Sequence, residues 1–215
     1  MSLPTPYYSK GGITIYHGDA RDMLPHLPQV DLILADPPYG IGAGRQSFGF
    51  SRTSRMSEES WDDQPATDAM LEQAIAHGKR AIVWGGNYFS LPPSRCFLVW
   101  DKGAGFKGRD FAECEQAWCS WDANARLLRY DPLANGDYRM KQHRTQKPVP
   151  LMRWCIEQAG EGIKTIGDPF GGVGTTLIAA RDLGKRAWMI EIEEKYCSIA
   201  VRRLSQQLLP FGGGE

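Results

Sequence analysis

The feature that most constrains the fold is a strand, a glycine-rich turn, a helix and a second strand within residues 164–191. Lys164–Asp168 is a short β-rich run that leads into Pro169-Phe170-Gly171-Gly172-Val173-Gly174-Thr175-Thr176. The turn opens a predicted helix, Thr175–Leu183, and Arg186–Glu191 follows as a strand. A crossover helix of this kind joins parallel strands with a right-handed connection. The stretch therefore predicts an open α/β sheet of the nucleotide-binding type.

Strands and helices alternate along most of the chain, which extends this prediction to one domain over residues 1–215. We expect a seven-stranded, mostly parallel, Rossmann-like sheet with helices on both faces. No helix separates Cys96–Trp100 from Glu115–Trp121, so these two strands are predicted to be antiparallel neighbours at a sheet edge. The other predicted strands are Ile13–His17, Val30–Ala35 and Arg80–Trp84, and the other helices are Arg21–Leu27, Thr67–Ile75, Pro150–Ala159 and Glu193–Leu209.

Composition limits the partners and the location. The 25 basic and 25 acidic side chains balance, so any contact with nucleic acid must come from a local patch. No apolar run reaches bilayer-spanning length and the amino terminus lacks a secretory pattern, which predicts a cytoplasmic protein without membrane contact. The five scattered cysteines form no C-x-x-C pair, and the four histidines form no H-x-x-x-H. Buried thiols are therefore expected, with no metal site.

A second motif, Asp36-Pro37-Pro38-Tyr39, ends the buried strand Val30–Ala35. Neither proline can donate an N–H or relax its φ, so the Asp36 carboxylate, the Pro37 carbonyl and the Tyr39 ring are held in a fixed relation. Ligands of open α/β sheets lie at the carboxyl ends of the strands, where this turn is expected. Two acceptors beside an aromatic ring suit an exocyclic amine on a heterocycle. The alternative is a proline-rich turn in which Asp36 only caps backbone groups.

The glycine turn favours a nucleoside without a pyrophosphate. Leu177 stands where the dinucleotide fingerprint has its third glycine, and no Lys lies beside a Ser or Thr as in a phosphate loop. S-adenosylmethionine fits, with ribose hydroxyls on Glu191, the adenine edge on Asp19 and the methionine tail near the turn. The alternatives are that the glycines only allow close packing of helix on strand, and that Asp19 only caps a helix.

Two stretches without periodicity carry local basic charge. Residues 40–64 are predicted to be a mobile loop after the Asp36-Pro37-Pro38-Tyr39 motif, with Arg45 and Arg52 beside Phe48 and Phe50 as contacts to nucleic-acid phosphates and bases. A solvated loop without function is the alternative. Residues 122–144 form the most basic local stretch, and Arg139 and Lys141 are its candidate contacts to nucleic-acid phosphates.

The motifs together resemble the β-class DNA amino-methyltransferases, the N6-adenine and N4-cytosine family. The resemblance rests on Gly18-Asp19, Asp36-Pro37-Pro38-Tyr39, Thr145-Gln146-Lys147-Pro148 and the Asp168–Thr176 turn, in the circularly permuted order of that family. It implies S-adenosylmethionine as cofactor, DNA as partner and residues 122–142 as the target-recognition region. Two features depart from the family: this region has only about twenty residues, against ~50 or more for a typical domain, and Arg144 stands where a proline is common. The implied catalytic residues are Asp36, Pro37, Pro38 and Tyr39, and the implied cofactor residues are Asp19, Asp36, Lys147, Asp168, Phe170, Gly172, Gly174, Thr175, Thr176 and Glu191.

The resemblance implies methyl transfer to the N6 amine of adenine in DNA, by direct in-line displacement on a flipped-out base. Asp36 at the first position of its motif favours adenine, and N4-cytosine is the alternative because both amines offer two N–H donors. The chain lacks a Pro-Cys dipeptide, which disfavours cytosine-C5 chemistry through a thiolate. The alternatives from other functional classes are a dehydrogenase and a catalytically inactive nucleotide-binding subunit. The short recognition region predicts a homodimer that methylates a short site.

Overall fold

The computed structural model describes residues 3–41, 65–109, 112–143 and 145–206. The strands are β1 (Tyr8–Lys10), β2 (Ile13–His17), β3 (Val30–Ala35), β4 (Gly78–Trp84), β5 (Phe97–Asp101), β6 (Cys114–Cys119), β7 (Arg126–Arg129), β8 (Thr165–Asp168) and β9 (Arg186–Glu191). The helices are α1 (Ala20–Met23), α2 (Asp68–Ala76), α3 (Val149–Gln158), α4 (Thr175–Asp182) and α5 (Glu194–Ser205), with short 3₁₀ turns at 24–26, 86–88, 104–106 and 137–140.

The strands form one mixed sheet in the order β1-β2-β9-β8-β3-β4-β6-β5-β7. The described residues thus contribute nine strands, and the prediction of seven is wrong in number although the class is confirmed. Both additional strands lie at edges: β1 pairs antiparallel with β2, and β7 pairs parallel with β5. They have three and four residues, too few for a periodic pattern to stand out from a loop. Together β1 and β6 make two antiparallel strands rather than the expected one.

Helices cover both faces of the sheet because side chains of each central strand alternate between two cores. In β3, Leu32 and Leu34 enter the core that α3, α4 and α5 complete, whereas Ile33 and Ala35 enter the core completed by α1 and α2. All four are fully buried. Burial of a large aliphatic side chain stabilises the fold by about 1.5–3 kcal/mol relative to exposure. The uninterrupted apolar run that predicted a buried strand is therefore a consequence of two covered faces.

The topology brings the motifs to one edge of the sheet. Strands β2, β9, β8, β3 and β4 run in parallel, so their carboxyl ends lie together. Strand β6 runs antiparallel to β4 and β5, and its first residues therefore lie at this same edge, beside the last residues of β5. Cys96–Trp100 and Glu115–Trp121 are confirmed as antiparallel neighbours, but β7 covers the far side of β5 and takes the outer edge.

Several further predictions can be placed on this fold. The predicted recognition segment 122–142 is not only a connection, because its residues 126–129 form β7. The predicted loop 40–64 lies outside the described residues except for residues 40 and 41. Four cysteines are buried, whereas Cys114 is exposed. Among the described residues, no helix is long and apolar enough to cross a membrane, and no group of His, Cys, Asp and Glu could hold a metal ion.

Candidate active site

The turn after β3 places three chemical groups at the carboxyl edge of the sheet. Asp36 keeps 21% of its side chain exposed. The Tyr39 hydroxyl donates to Oδ1 of Asp36 at 2.7 Å. The Pro38 carbonyl accepts a hydrogen bond from the Ala66 amide at 3.0 Å, which ties the turn to the segment before α2. The two prolines and these two hydrogen bonds hold the carboxylate in a defined orientation.

Lys147 contacts Asp36 directly. Its Nζ lies 2.5 Å from Asp36 Oδ1 and 3.3 Å from the Tyr39 hydroxyl. Only 5% of the Lys147 side chain is exposed, so it is not a surface charge. Pro148 is the N-cap residue of α3. Lys147 precedes it, and its side chain reaches from the start of α3 to the turn after β3. Lys147, which the resemblance implies for the cofactor site, thus forms an ion pair with Asp36 in this structure.

Two residues that were not predicted extend this ion pair. Glu115 at the start of β6 places Oε2 3.4 Å from Lys147 Nζ. Its Oε1 lies 2.7 Å from Nζ of Lys102, which follows β5 and has 8% of its side chain exposed. Lysines and carboxylates thus alternate in the order Lys102, Glu115, Lys147 and Asp36. We call these four residues the charge chain.

The charge chain determines the protonation of its two inner members, Glu115 and Lys147. Burial opposes ionisation of Glu115, but Lys147 and Lys102 outweigh it and lower the pKa of Glu115 to about 2. Burial also disfavours the Lys147 ammonium, yet Asp36 and Glu115 raise the pKa of Lys147 overall. Both groups are therefore charged at neutral pH. A buried charge without such partners would be strongly destabilising.

Aromatic side chains form one wall of the site. Tyr39 stacks on Tyr88, with ring centroids 4.9 Å apart and an interplanar angle of 14°. Tyr88 is 50% exposed, so it forms the outer part of this wall. Gly85 has φ +65°, and a Cβ at this position would lie 2.4 Å from the Tyr39 ring, so only glycine permits the approach. A planar ligand ring that stacks on Tyr39 would have to use its other face or displace Tyr88.

The glycine turn forms a second site on the neighbouring strand β8. Asp168 is 3% exposed, and its carboxylate accepts hydrogen bonds from the Phe170 amide at 3.0 Å and from the Thr176 side chain. Burial raises the pKa of Asp168 to about 7, which these hydrogen bonds only partly oppose. Near neutral pH a cation close to Asp168 would stabilise its ionised form.

Glu191 joins the end of β9 to the same turn. Its Oε2 accepts from the Gly172 amide at 2.7 Å, and its Oε1 accepts from the Glu193 amide at 2.8 Å. Burial raises the pKa of Glu191, against the backbone donors that lower it. The Gly18 amide donates to the Glu191 carbonyl at 3.0 Å, which brings the end of β2 against the end of β9. Glu191 therefore supports the turn and still has acceptor lone pairs for a ligand.

The start of α4 is held by α5. Gly174 caps α4 with φ +75°, and Thr175 and Thr176 follow as buried residues. Arg203 of α5 donates through one guanidinium nitrogen to the Val173 carbonyl at 2.5 Å and to Thr175 Oγ1 at 3.2 Å. Helix α5 thus fixes the turn from behind.

The remaining predicted site residues are placed differently from one another. Asp19 caps α1 by accepting from the Arg21 amide at 2.8 Å, and the Arg21 side chain lowers its pKa through an ion pair. Arg139 is exposed, whereas Lys141 is partly buried, with Nζ 4.1 Å from the Tyr138 ring centroid. Burial and the charges of Lys102 and Lys147, against those of Glu115 and Asp36, lower the pKa of Lys141 to about 8. Lys141 therefore belongs electrostatically to the charge chain, while Arg45 and Arg52 lie outside the described residues.

Sequence reasoning missed Glu115 and Lys102, although a signal was present. Glu115 is in phase with Ala117 and Cys119, and Lys102 is in phase with Leu98 and Trp100. These four apolar residues belong to one core. A charged residue in phase with a buried face at a strand end points toward the core side of the sheet edge. Tyr88, two positions after Gly86, carried no comparable signal.

The residues around the turn fit S-adenosylmethionine. Asp168 and Glu191 are buried carboxylates, and neither forms an ion pair with a described residue, so together they offer negative charge to a cationic ligand. A Cβ built on Gly172 would meet no atom within 4 Å, which indicates open space above the turn. A sulfonium and an ammonium group suit this donor and acceptor set.

Comparisons with known proteins show the family of this chain. A family model described as DNA methylase, of the N6 and N4 type, matches residues 83–202, which is more than half of the chain. The type II methyltransferase M.ScaI of Streptomyces caespitosus is 26% identical and aligns over 96% of this chain and 86% of its own length.

Two solved structures share the fold. The M1.HpyAVI complex with S-adenosylmethionine has a TM-score of 0.58 at 19% identity, over 89% of this chain and 99% of that one. The cytosine-N4-specific PvuII DNA methyltransferase has a TM-score of 0.61 at 16% identity, over 95% of this chain and 90% of that one. The cofactor is S-adenosylmethionine. The chain belongs to the N6 and N4 DNA methylase family, and it is a DNA methyltransferase.

Proposed function

We propose that this DNA methyltransferase acts on the exocyclic N6 amine of adenine, on a base turned out of the duplex. The single observation that carries the assignment to an exocyclic amine is the unequal use of the two Asp36 oxygens. Both Lys147 and Tyr39 donate to Oδ1. Among the described residues, none donates to Oδ2 of Asp36 or to the Pro37 carbonyl. Two acceptors therefore remain at this turn for the two N–H groups of an amine.

These two acceptors address the difficulty of the reaction. An exocyclic amine is a poor nucleophile because its lone pair is delocalised into the ring. Hydrogen bonds from both N–H groups to Asp36 Oδ2 and to the Pro37 carbonyl localise that lone pair on nitrogen, most strongly as the new bond forms. When bound, S-adenosylmethionine supplies an electrophilic methyl group on its sulfonium sulfur. The nitrogen–carbon bond forms as the carbon–sulfur bond breaks, and the amine then loses one proton.

Adenine is favoured by the resemblance of Asp36-Pro37-Pro38-Tyr39 to the adenine branch of the family, which begins with Asp. N4-cytosine is the second candidate, because the cytosine amine offers the same two donors and PvuII is described as cytosine-N4-specific. The same pair of acceptors would serve either base. The two candidates therefore differ in how the ring is held, against Tyr39 and its neighbours.

Product analysis separates these candidates. The protein is incubated with S-adenosylmethionine labelled at its methyl group and with unmethylated duplex DNA of mixed sequence, and the DNA is digested to nucleosides. We expect the label in N6-methyldeoxyadenosine. Label in N4-methyldeoxycytidine would replace adenine with cytosine and leave the Asp36 mechanism intact. Label at C5 of cytosine, or no transfer, would contradict the proposal.

A further inference from the structure

Glu115 and Lys102 are buried or partly buried charges that the mechanism above does not use. Of the Glu115 side chain 29% is exposed, against 8% for Lys102. The Lys102 ammonium lies 5.2 Å and 5.3 Å from the ring centroids of Trp100 and Phe106, so its position is fixed by packing. An ion pair of this kind contributes little net stability over an apolar pair of similar volume. Its place beside Lys147 gives it another consequence.

The Lys147 ammonium has three N–H donors and three acceptors near it. These acceptors are Asp36 Oδ1 at 2.5 Å, the Tyr39 hydroxyl at 3.3 Å and Glu115 Oε2 at 3.4 Å. With 5% of its side chain exposed, Lys147 has little access to water as a substitute partner. Every N–H of a buried ammonium needs an acceptor, because an unsatisfied one is destabilising. Glu115, at ion-pair distance, is thus the third acceptor within reach of this ammonium.

Loss of the Glu115 charge would change this balance. One N–H of Lys147 would lack its charged acceptor, and the nearest other acceptor in the charge chain is the second oxygen of Asp36. An ammonium that bridges both Asp36 oxygens occupies Oδ2, where the target amine is to be bound. Lys102 and Lys141 would also lose the negative charge of Glu115, with which both interact.

Lys102 forms an ion pair with the other oxygen of Glu115. Its Nζ lies 2.7 Å from Glu115 Oε1, while Glu115 Oε2 lies 3.4 Å from Lys147 Nζ. Without Lys102, both oxygens of Glu115 would be free to pull Lys147 away from Asp36. The alternating order of charges is thus suited to hold the Lys147 ammonium at Oδ1 of Asp36.

We propose that Glu115, held by Lys102, is a positioning residue for methyl transfer, which keeps Lys147 on Oδ1 of Asp36 and leaves Oδ2 for the target amine. This inference rests on the proposed function, since it gives Asp36 the target amine as its ligand. Glu115 acts only through Lys147 and contacts neither substrate nor cofactor. Its removal therefore lowers turnover and leaves the binding of DNA and S-adenosylmethionine unchanged.

The test is steady-state methyl transfer by Glu115→Gln on unmethylated duplex DNA. We expect kcat to fall by about 10²-fold, the size of a misplaced reacting group, while KM for DNA and the Kd for S-adenosylmethionine stay at wild-type values. Glu113→Gln is the matched control, because it removes an exposed carboxylate two residues before Glu115 in the sequence. We expect Glu113→Gln to retain wild-type kcat.

A second variant separates positioning from stability. Lys102→Met/Glu115→Met replaces the ion pair with apolar side chains of similar volume, so we expect a melting temperature near that of wild type. We expect its kcat to remain as low as that of Glu115→Gln. Wild-type kcat in either variant would overturn the inference. Wild-type protein and Asp36→Asn distinguish this failure from failure of the proposed function. If wild-type protein transfers methyl groups and Asp36→Asn does not, wild-type kcat in a Glu115 variant contradicts only the role of Glu115. If wild-type protein shows no transfer, the proposed function itself is contradicted.

Discussion

At the scale of single residues, the site is defined by how its carboxylates are bound. Asp36 has one oxygen engaged by Lys147 and Tyr39, and Glu191 has both oxygens engaged by backbone amides. Asp168 is almost fully buried and, like Glu191, has no cationic partner among the described residues, and burial raises its pKa to about 7. Asp36 and Asp168 therefore each make a separate prediction.

Asp36→Asn tests the acceptor role with almost no change in size. An amide offers one oxygen and donates from the other position, so it cannot accept two hydrogen bonds in the required arrangement. We expect methyl transfer to fall by about 10²–10³-fold, as for loss of one group that stabilises a transition state. Binding of S-adenosylmethionine, measured by calorimetry, should change little. Asp22→Asn, on an exposed carboxylate of α1, is the control. Turnover at the wild-type rate in Asp36→Asn would rule the mechanism out.

Asp168 predicts a pH dependence of cofactor binding. Its pKa is raised from 3.8 to about 7 by burial, so the free protein keeps the proton up to about pH 7. The same shift means that the free fold loses stability as pH rises from about 4 to about 7, because the unfolded chain releases this proton first. A cationic ligand binds best to the ionised form, and its binding below pH 7 must release the proton. We expect the affinity for S-adenosylmethionine to rise by up to about tenfold per pH unit between pH 5.5 and 7.

Calorimetry at several pH values in buffers of different ionisation enthalpy measures both the affinity and the released proton. Asp168→Asn keeps the size of the side chain without the titration, so its weaker binding should show no slope over this range. A slope that persists in Asp168→Asn would assign the titration to another group.

At the scale of elements, the turn before α4 depends on its contact with α5. Gly174 has φ +75°, and a Cβ on it would lie 2.8 Å from the Cβ of Ala200. Arg203, one turn further along α5, donates to the Val173 carbonyl. The glycine turn is thus shaped by a helix that follows it by about twenty residues in the chain. The pattern of glycines in the sequence alone does not show this dependence.

Substitution of Gly174 by Ala should destabilise the fold for two reasons, the left-handed backbone at this position and the contact with Ala200. A left-handed backbone costs a residue with a Cβ about 1–2 kcal/mol, and the contact with Ala200 adds an overpacking cost of about 1–3 kcal/mol. Gly184→Ala is the matched control, with φ +66° and no atom within 4 Å of the added Cβ. Urea unfolding should show a larger loss of stability for Gly174→Ala than for Gly184→Ala. Equal losses would mean that packing against α5 does not constrain the turn.

At the scale of the whole molecule, the balance of 25 basic and 25 acidic residues leaves DNA binding to local patches. The two described candidates for such contacts differ, because Arg139 is exposed and Lys141 lies beside the charge chain. Phosphate contacts position a protein on DNA without reading its sequence. The homodimer and the short target site remain predictions, which sedimentation of the protein and sequencing of methylated bases can check.

Arg139→Glu tests the phosphate contact. We expect weaker DNA binding, a salt dependence of log Kd that is shallower by about 0.9, and unchanged affinity for S-adenosylmethionine. Arg186→Glu is the control, because Arg186 is exposed at the amino end of β9, at the opposite edge of the sheet from the site. Fluorescence anisotropy with duplex DNA over a series of salt concentrations provides the measurement. A slope that stays at the wild-type value in Arg139→Glu would place the DNA elsewhere.

The sequence alone determined the local structure and the chemistry of the motifs. The strand Val30–Ala35 and the strand Arg186–Glu191 have the predicted bounds, because an apolar run buried on both faces and a clear stop signal mark them. The predicted helix Thr175–Leu183 is observed as Thr175–Asp182. Asp36 and Glu191 were predicted as site residues because the ends of parallel strands meet at one edge of a sheet, and both lie at that edge.

Only the tertiary structure decided which charges meet. Lys147 is 111 residues from Asp36 along the chain, and their contact depends on the packing of α3 beside the end of β3. Lys102 and Glu115 reach the same point because β6 reverses direction between β4 and β5. The short edge strands β1 and β7 likewise exist through pairing with longer neighbours. Contacts between distant residues depend on strand order and register, and local patterns specify neither.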